Sequence, residues 1–434
     1  MGLACTGGGL SRQRSEAPPL RRGGLAQAGL LVAALVIACG RPAAGLELST
    51  RHLESQINSE FRLTGVPFDE YVNAMRRIVG KARLDLVPER RLQIVDANSP
   101  FEWRPVGPAC RQPGQPRFRR GALLIHGLSD SPYQMRDVAR FLVQRCYLVR
   151  AILLPGHGTV PGDLLSVTFG EWIKATRYAV DSFVASRDVE RLVVVGFSTG
   201  GTLALHEGLT QEPVEAVVLF SPAVKLKTNL GFMANWHKAI SWASTDKQWI
   251  DIAPDEDYAK YESFTFNAAD QIYLLTKRLE GEAGSNKVRV PIFMALSEDD
   301  ATVAAADGIA FFKAQSNPKS RLIVYSNREQ TLGDSRIQRR RSAYDELGIL
   351  NFSHLSVHIA PQNPHYGRDG DYKNCLHYLD DAPKWQACKE GRGEIKYGEL
   401  SSEALNKYLM RRLSYNPDFE GLMMLLDGFL KSVN

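Results

Sequence analysis

Six continuous apolar runs, interleaved with segments of helical periodicity, constrain this chain more than any other feature. They are GALLIHG (121–127), YLVRAILLPG (147–156), RLVVVGFS (191–198), VEAVVLFSP (214–222), VRVPIFMALS (288–297) and SRLIVYSN (320–327). Runs this apolar are strands buried on both faces, and helical stretches such as FGEWIKATRYAVDSFVAS (169–186) supply the covers. The expected fold class is therefore α/β, with a mostly parallel central sheet and helices on both faces. A helical lead-in is expected over 40–90, followed by two strand-like runs, RRLQIVDA (90–97) and FEWRPV (101–106).

Two stretches break the alternation. Residues 225–287 are far longer than an ordinary connection and hold Trp236, Trp242, Trp249, Tyr258, Tyr261, Phe264 and Phe266. They read as an inserted helical lid. Residues 327–350, with RIQRRRS (336–342), read as a solvated surface turn or helix.

The third apolar run ends in GFSTG, with Ser198 fenced by Gly196 and Gly200. A strand that stops at a serine and becomes a helix within a few residues leaves that serine on a tight turn. Gly-x-Ser-x-Gly there is the nucleophile-elbow pattern, which lifts a hydroxyl above the sheet edge. An alcohol is a poor nucleophile at neutral pH, so the serine needs a base, an orienting acid and donors for an oxyanion.

Composition narrows the partners. The net charge of +5 falls to +2 without residues 1–39, which hold Arg12, Arg14, Arg21, Arg22 and Glu16. No basic helix with interleaved aromatics, no P-loop and no zinc-ligand spacing is present in the sequence, so neither nucleic acid nor a metal or other cofactor is expected. Residues 1–39 read as a signal peptide or lipoprotein leader. A basic n-region precedes an apolar run too short for a span, ending in VIAC (36–39), which resembles a bacterial lipobox and implies lipidation of Cys39. Export to the bacterial cell envelope, anchored at a membrane on its periplasmic face, is the expectation. In that oxidising compartment Cys375 and Cys388, flanking a short loop, are expected to pair, and Cys110 with Cys146 is a second candidate.

Five stretches, HGLSDSP (126–132), LLPGHGTVPGDL (153–164), GFSTGG (196–201), SEDDATV (297–303) and SHLSV (353–357), follow one another in order. Together they resemble the bacterial carboxylesterase, monoacylglycerol lipase and lysophospholipase branch of the α/β-hydrolases. The resemblance implies an α/β-hydrolase core over 91–224 and 288–434, interrupted by the lid. It implies Ser198 as nucleophile, and Asp300 as acid in a small-x-x-Asp-x-x-Val pattern, with Glu298 and Asp299 as alternatives. The base is His354, with His358 and His365 close behind as alternatives. The Leu128 and Thr199 N–H groups form the oxyanion hole. His126, which precedes the serine, reads as structural, and His206 as a packing residue.

These residues point to a serine hydrolase of carboxylic esters with apolar acyl chains, acting on a small-molecule ester or lipid. Two other readings share them. One is a peptidase of the serine aminopeptidase type on the same fold, and the other is a non-catalytic lipid-binding envelope lipoprotein.

Overall fold

The computed structural model describes residues 47–57, 65–107, 110, 118–210, 213–225, 248–285, 288–329 and 332–433. Cys39, with the whole leader, and Trp236 and Trp242 of the expected lid lie outside the described residues.

The strands are β1 (Phe101–Trp103), β2 (Phe118–Ile125), β3 (Tyr147–Ile152), β4 (Val189–Phe197), β5 (Val214–Phe220), β6 (Trp249–Asp251), β7 (Phe264–Thr265), β8 (Ile292–Ser297), β9 (Arg321–Tyr325), β10 (Ile337–Arg340), β11 (Ile395–Gly398) and β12 (Leu409–Arg412). The helices are α1 (Phe68–Ala82), α2 (Arg91–Asn98), α3 (Arg136–Val143), α4 (Phe169–Ser186), α5 (Thr199–Thr210), α6 (Phe266–Ser285), α7 (Ala305–Ala314), α8 (Ala382–Glu390), α9 (Ser402–Lys407) and α10 (Phe419–Val433). Eight strands form the main sheet in the order β1-β3-β2-β4-β5-β8-β9-β10, and only the β1–β3 pair is antiparallel.

Successive side chains of a strand point to opposite faces, so each apolar run feeds two cores. Ala122, Leu124, Val193, Val195 and Val218 join a layer that includes α3 and α10. Leu123, Ile125, Val194, Val217 and Leu219 join another, with α1, α4, α5 and α6. Sharp helix ends hold these covers in place. Thr168 accepts the Glu171 N–H while the Glu171 carboxylate accepts the Thr168 N–H, a reciprocal cap at the start of α4.

Three expectations change. The run 90–97 is not a strand: residues 91–98 form α2, burying Ile94, Val95, Ala97 and Asn98. That i, i+1, i+3, i+4 pattern is helical, and the β-branched pair Ile94-Val95 was a misleading cue. The arginine-rich 336–342 stretch is not a solvated turn. It supplies β10, the parallel edge strand of the sheet, with its arginines paired: Arg339 to Glu298, Arg340 to Asp418 and Arg341 to Glu346. An edge strand carrying charge resists pairing with a second chain, which is why such a sequence is tolerated there.

The described part of the expected lid, 248–285, is also not wholly helical. β6 and β7 form a short antiparallel pair, and α6 buries Ala268, Ile272, Leu275 and Leu279 in the core under the sheet. Tyr258 and Trp249 are packed inside, the latter edge-on to His52. Both cysteine pairs are disulfide-bonded, Cys110–Cys146 and Cys375–Cys388, with Cα atoms 4.9 and 6.1 Å apart.

Candidate active site

Strand register aligns the chain exits. Ile125 of β2 pairs with Gly196 of β4, Gly196 with Leu219 of β5, and Leu219 with Met294 of β8. Past this row the chain leaves the sheet at its carboxyl edge, where open α/β sheets place their ligands. Gly127 and Leu128, Ser198 and Asp300 all stand within a few residues of the row, so three remote stretches meet above one edge.

Ser198 adopts φ +51°, a left-handed conformation that costs a non-glycine residue about 1–3 kcal/mol. Its neighbours hold it there. The Ser198 N–H donates to the Phe220 carbonyl at 3.0 Å, and the Ser198 carbonyl accepts from Thr202 and Ala223 at 3.2 and 3.1 Å. The two flanking glycines answer to space: a Cβ on Gly196 would run into the Gly200 backbone, and one on Gly200 into the Ile125 carbonyl. The strand-to-helix turn can pack against its neighbours only with hydrogen at both positions.

His354 brings its Nε2 to 3.0 Å from the Ser198 Oγ and its Nδ1 to 2.6 Å from Asp300 Oδ2. The other carboxylate oxygen, Oδ1, accepts the N–H groups of Thr302 and Val303 at 2.7 and 2.9 Å. Burial pushes the Asp300 carboxyl up, but His354 and the hydrogen bonds outweigh it and hold it below the usual carboxylate range. An ionised Asp300 accepts the proton on Nδ1, which leaves the Nε2 lone pair facing the serine hydroxyl. Ser198 is 8% exposed, so it is reachable.

The turn after β2 is set by His126. Its Nε2 accepts the Leu154 N–H at 3.1 Å, so its proton sits on Nδ1 and donates to the Gly127 carbonyl at 2.8 Å. Burial lowers its pKa to about 4, which keeps the ring neutral. Carbonyl and N–H of one trans peptide point in opposite directions, so tethering the Gly127 oxygen turns the Leu128 N–H away from His126. Leu128 and Thr199 line one cavity with Ser198 and His354. The Thr199 N–H is the first of α5, one of the donors a helix leaves unsatisfied at its positive end.

That cavity has a volume of about 340 Å³. Phe197, Phe264, Ala269, Ile272, Val303 and Leu355 give it apolar walls. Asp130, Lys260, Glu262, Asn374, His377 and Arg412 add polar ones. Of this second set only Asp130, in HGLSDSP, lies in a motif that the sequence marked. Burial raises the Glu262 carboxyl to about 7, and the Tyr372 hydroxyl donates to it at 2.6 Å. Lys260 is taken by Asp130 at 2.8 Å. Asn374 and His377 flank Cys375, so the Cys375–Cys388 disulfide anchors part of the wall. The pairing of those cysteines was the one sequence signal pointing to this segment.

The competing residues are engaged elsewhere. Glu298 pairs with Arg339, and Asp299 is not the partner of His354. His206 pairs with Glu282. His358 is buried and stacked on the Phe197 ring, its pKa lowered to about 3 by burial. His365 lies between Asp257, at 2.8 Å from Nε2, and Asp371 at Nδ1. Burial works against its charge, yet Asp257 and then Asp371 prevail and raise it from 6.5 to about 9. A folded-state value above the unfolded one stabilises below about pH 6.5 and loses that contribution as pH rises through 9. The expected result is a drop of about 3 kcal/mol in unfolding free energy between pH 6.5 and 9.5 from this group. Urea titrations check it, and His365→Asn should flatten that part of the pH profile.

Residues 117–329 match the family described as "Serine aminopeptidase, S33". Ser198, Asp300, Leu128 and Thr199 fall inside the matched stretch, and His354 lies beyond it. The chain is similar to a thermostable monoacylglycerol lipase of Bacillus sp. (strain H-257), 24% identical over 208 residues, which cover 48% of this chain and 81% of that protein. It is also similar to a carboxylesterase of Bacillus subtilis (strain 168), 23% identical over 145 residues, 33% of this chain and 57% of the relative. Among solved structures, a monoacylglycerol lipase of Paleococcus ferrophilus aligns with a TM-score of 0.40 and 16% identity, over 52% of this chain and 88% of that one.

Proposed function

We propose that this chain is a serine hydrolase of the α/β-hydrolase type cleaving carboxylic esters through an acyl-enzyme, a reading supported by the match of residues 117–329 to the serine aminopeptidase S33 family. The observation that carries the reading is the relay from Ser198 Oγ through His354 to Asp300, at 3.0 and 2.6 Å, opening onto a cavity. Relatives named as a monoacylglycerol lipase and a carboxylesterase support the ester as the bond broken.

In this mechanism the Ser198 oxygen attacks the carbonyl carbon while its proton passes to His354 Nε2. The carbonyl oxygen takes the electron pair and lies against the Leu128 and Thr199 N–H groups. His354 returns the proton to the departing alkoxide as the ester C–O bond breaks. Water then repeats the sequence on the acyl-serine, releasing the acid and restoring the hydroxyl. Asp300 stays ionised throughout and balances the transient imidazolium charge.

The apolar wall beside the nucleophile supports an aliphatic acyl group. The volume, near the low end of the range of roughly 300–1,000 Å³ typical of ligand pockets, supports a short to medium one. A peptidase that captures a free amino terminus needs a carboxylate available to the ammonium group. Both carboxylates of the cavity wall are engaged, Asp130 by Lys260 and Glu262 by Tyr372 and the Glu256 N–H, which favours the esterase reading. The test compares p-nitrophenyl esters of increasing acyl length with aminoacyl p-nitroanilides, using the purified chain. Ester turnover that peaks at short to medium length, with the anilides untouched, is expected. Faster turnover of the anilides would transfer the assignment to the peptidase, and inertness to both would leave a binding protein.

A further inference from the structure

The strongest feature outside the relay is an ion pair between a buried carboxylate and a half-buried guanidinium that also lines the cavity. Glu399 follows β11 directly and is 4% exposed. Arg412 ends β12, in register with Gly398. Its Nε donates to Glu399 Oε1 at 2.7 Å and its Nη2 to Oε2 at 2.9 Å, a two-point grip of the kind only a guanidinium provides. The carboxylate has further partners. Oε2 also accepts the His354 N–H at 3.1 Å and the Ala301 N–H at 3.2 Å. Arg412 Nη2 reaches on to the Thr302 hydroxyl at 3.0 Å.

One oxygen atom therefore touches the backbone of the histidine itself and of the residue next to Asp300. Those two stretches lie 54 positions apart in the chain. Between them run β9 and β10, so neither is held to the other by local structure. The histidine loop is tied to the same small sheet by backbone as well: the Leu350 N–H donates to the Tyr397 carbonyl at 2.8 Å and the Tyr397 N–H to the Gly348 carbonyl at 2.9 Å. Burial pushes the Glu399 carboxyl up, but Arg412 and the backbone donors more than reverse it, so it stays ionised. A buried charge with this many donors is stable only in this arrangement, since leaving either partner alone is heavily penalised.

We propose that Glu399, gripped by Arg412, is a positioning residue for the proposed ester hydrolysis. Its carboxylate fixes the His354 backbone against the Asp300 turn, and so sets the imidazole at the distance from which it takes the Ser198 proton. The inference rests on the serine mechanism proposed above. It places the C-terminal segment, beyond the stretch that matches the family, within the support of the reaction centre.

The test is Glu399→Gln in the full chain. A single amide oxygen can still accept from His354 and Ala301, but the amide NH2 then faces the Arg412 and Leu400 donors, so the clamp loosens. A small misplacement of a catalytic group costs about a hundredfold. We expect kcat to fall ten- to hundredfold with KM within about twofold, and fluorophosphonate labelling to slow by the same factor as kcat. Because this variant strands a half-buried guanidinium, Glu399→Gln/Arg412→Gln, which removes both charges, serves as the second variant and should show the same fall in kcat and in labelling rate. If neither folds, Arg412→Lys, which keeps the charge but gives up the two-point grip, decides by the same ratio. A folded variant with kcat within twofold of the parent, or with the loss confined to KM, overturns the proposal. Labelling that persists in Ser198→Ala would instead overturn the serine mechanism, so the two failures are told apart.

Discussion

Replacing Ser198 with alanine is expected to lower kcat on an acyl ester by about a millionfold and to abolish labelling by a fluorophosphonate. The size follows from the chemistry. Without the hydroxyl no acyl-enzyme forms, and the remaining oxyanion donors act only on whatever water enters the cavity. The fold should survive, because alanine keeps the backbone bonds that hold the elbow: its N–H still donates to Phe220 and its carbonyl still accepts from Thr202 and Ala223. Circular dichroism and an unfolding curve matching the parent establish that. A variant that labels at the parent rate would remove Ser198 from the mechanism.

The second large effect is Asp300→Asn, for which we expect a loss of about ten-thousandfold in kcat. Oδ1 of Asp300 sits against two backbone donors, Thr302 and Val303, so the amide oxygen takes that seat. The NH2 is left facing His354 Nδ1 and forces the imidazole into its other tautomer. Its Nε2 then carries a proton and cannot accept the one on Ser198. The same substitution bears on acid stability. The folded-state pKa of Asp300 is depressed, so its contribution is present above the ordinary value and is lost as pH falls through the depressed one. Acid unfolding should be less steep in the variant. An asparagine variant with more than a tenth of parental turnover would show that the imidazole needs no orienting acid.

Much of this was legible in the amino-acid order. The six apolar runs all became strands of the main sheet, because a strand buried on both faces must be apolar at every position and little else in a soluble chain looks like that. GFSTG marked the elbow because the crowding that demands glycine is local, contained in five residues. The resemblance carried by SEDDATV and SHLSV pointed to Asp300 and His354 first among neighbouring candidates, and the structure brings these two within hydrogen-bond reach of one another. The run 90–97 misled because the β-branched pair Ile94-Val95 suggests a strand, whereas the buried positions 94, 95, 97 and 98 follow the helical period. The arginines of 336–342 hid a strand, since at the edge of a sheet the outward positions bear charge.

The chain order by itself narrowed the candidate side chains to a few on three turns, because strand ends and tight corners obey rules that reach only a few residues. It could not show which distant charges would meet. Lys260 against Asp130, Tyr372 against Glu262 and Arg412 against Glu399 are each joined across an interval that no periodicity spans. A lysine or glutamate in a loop carries no local trace of its partner; only the closed fold, by burying the carboxylates and bringing their donors to them, turns them into walls of a cavity or a brace beside a histidine.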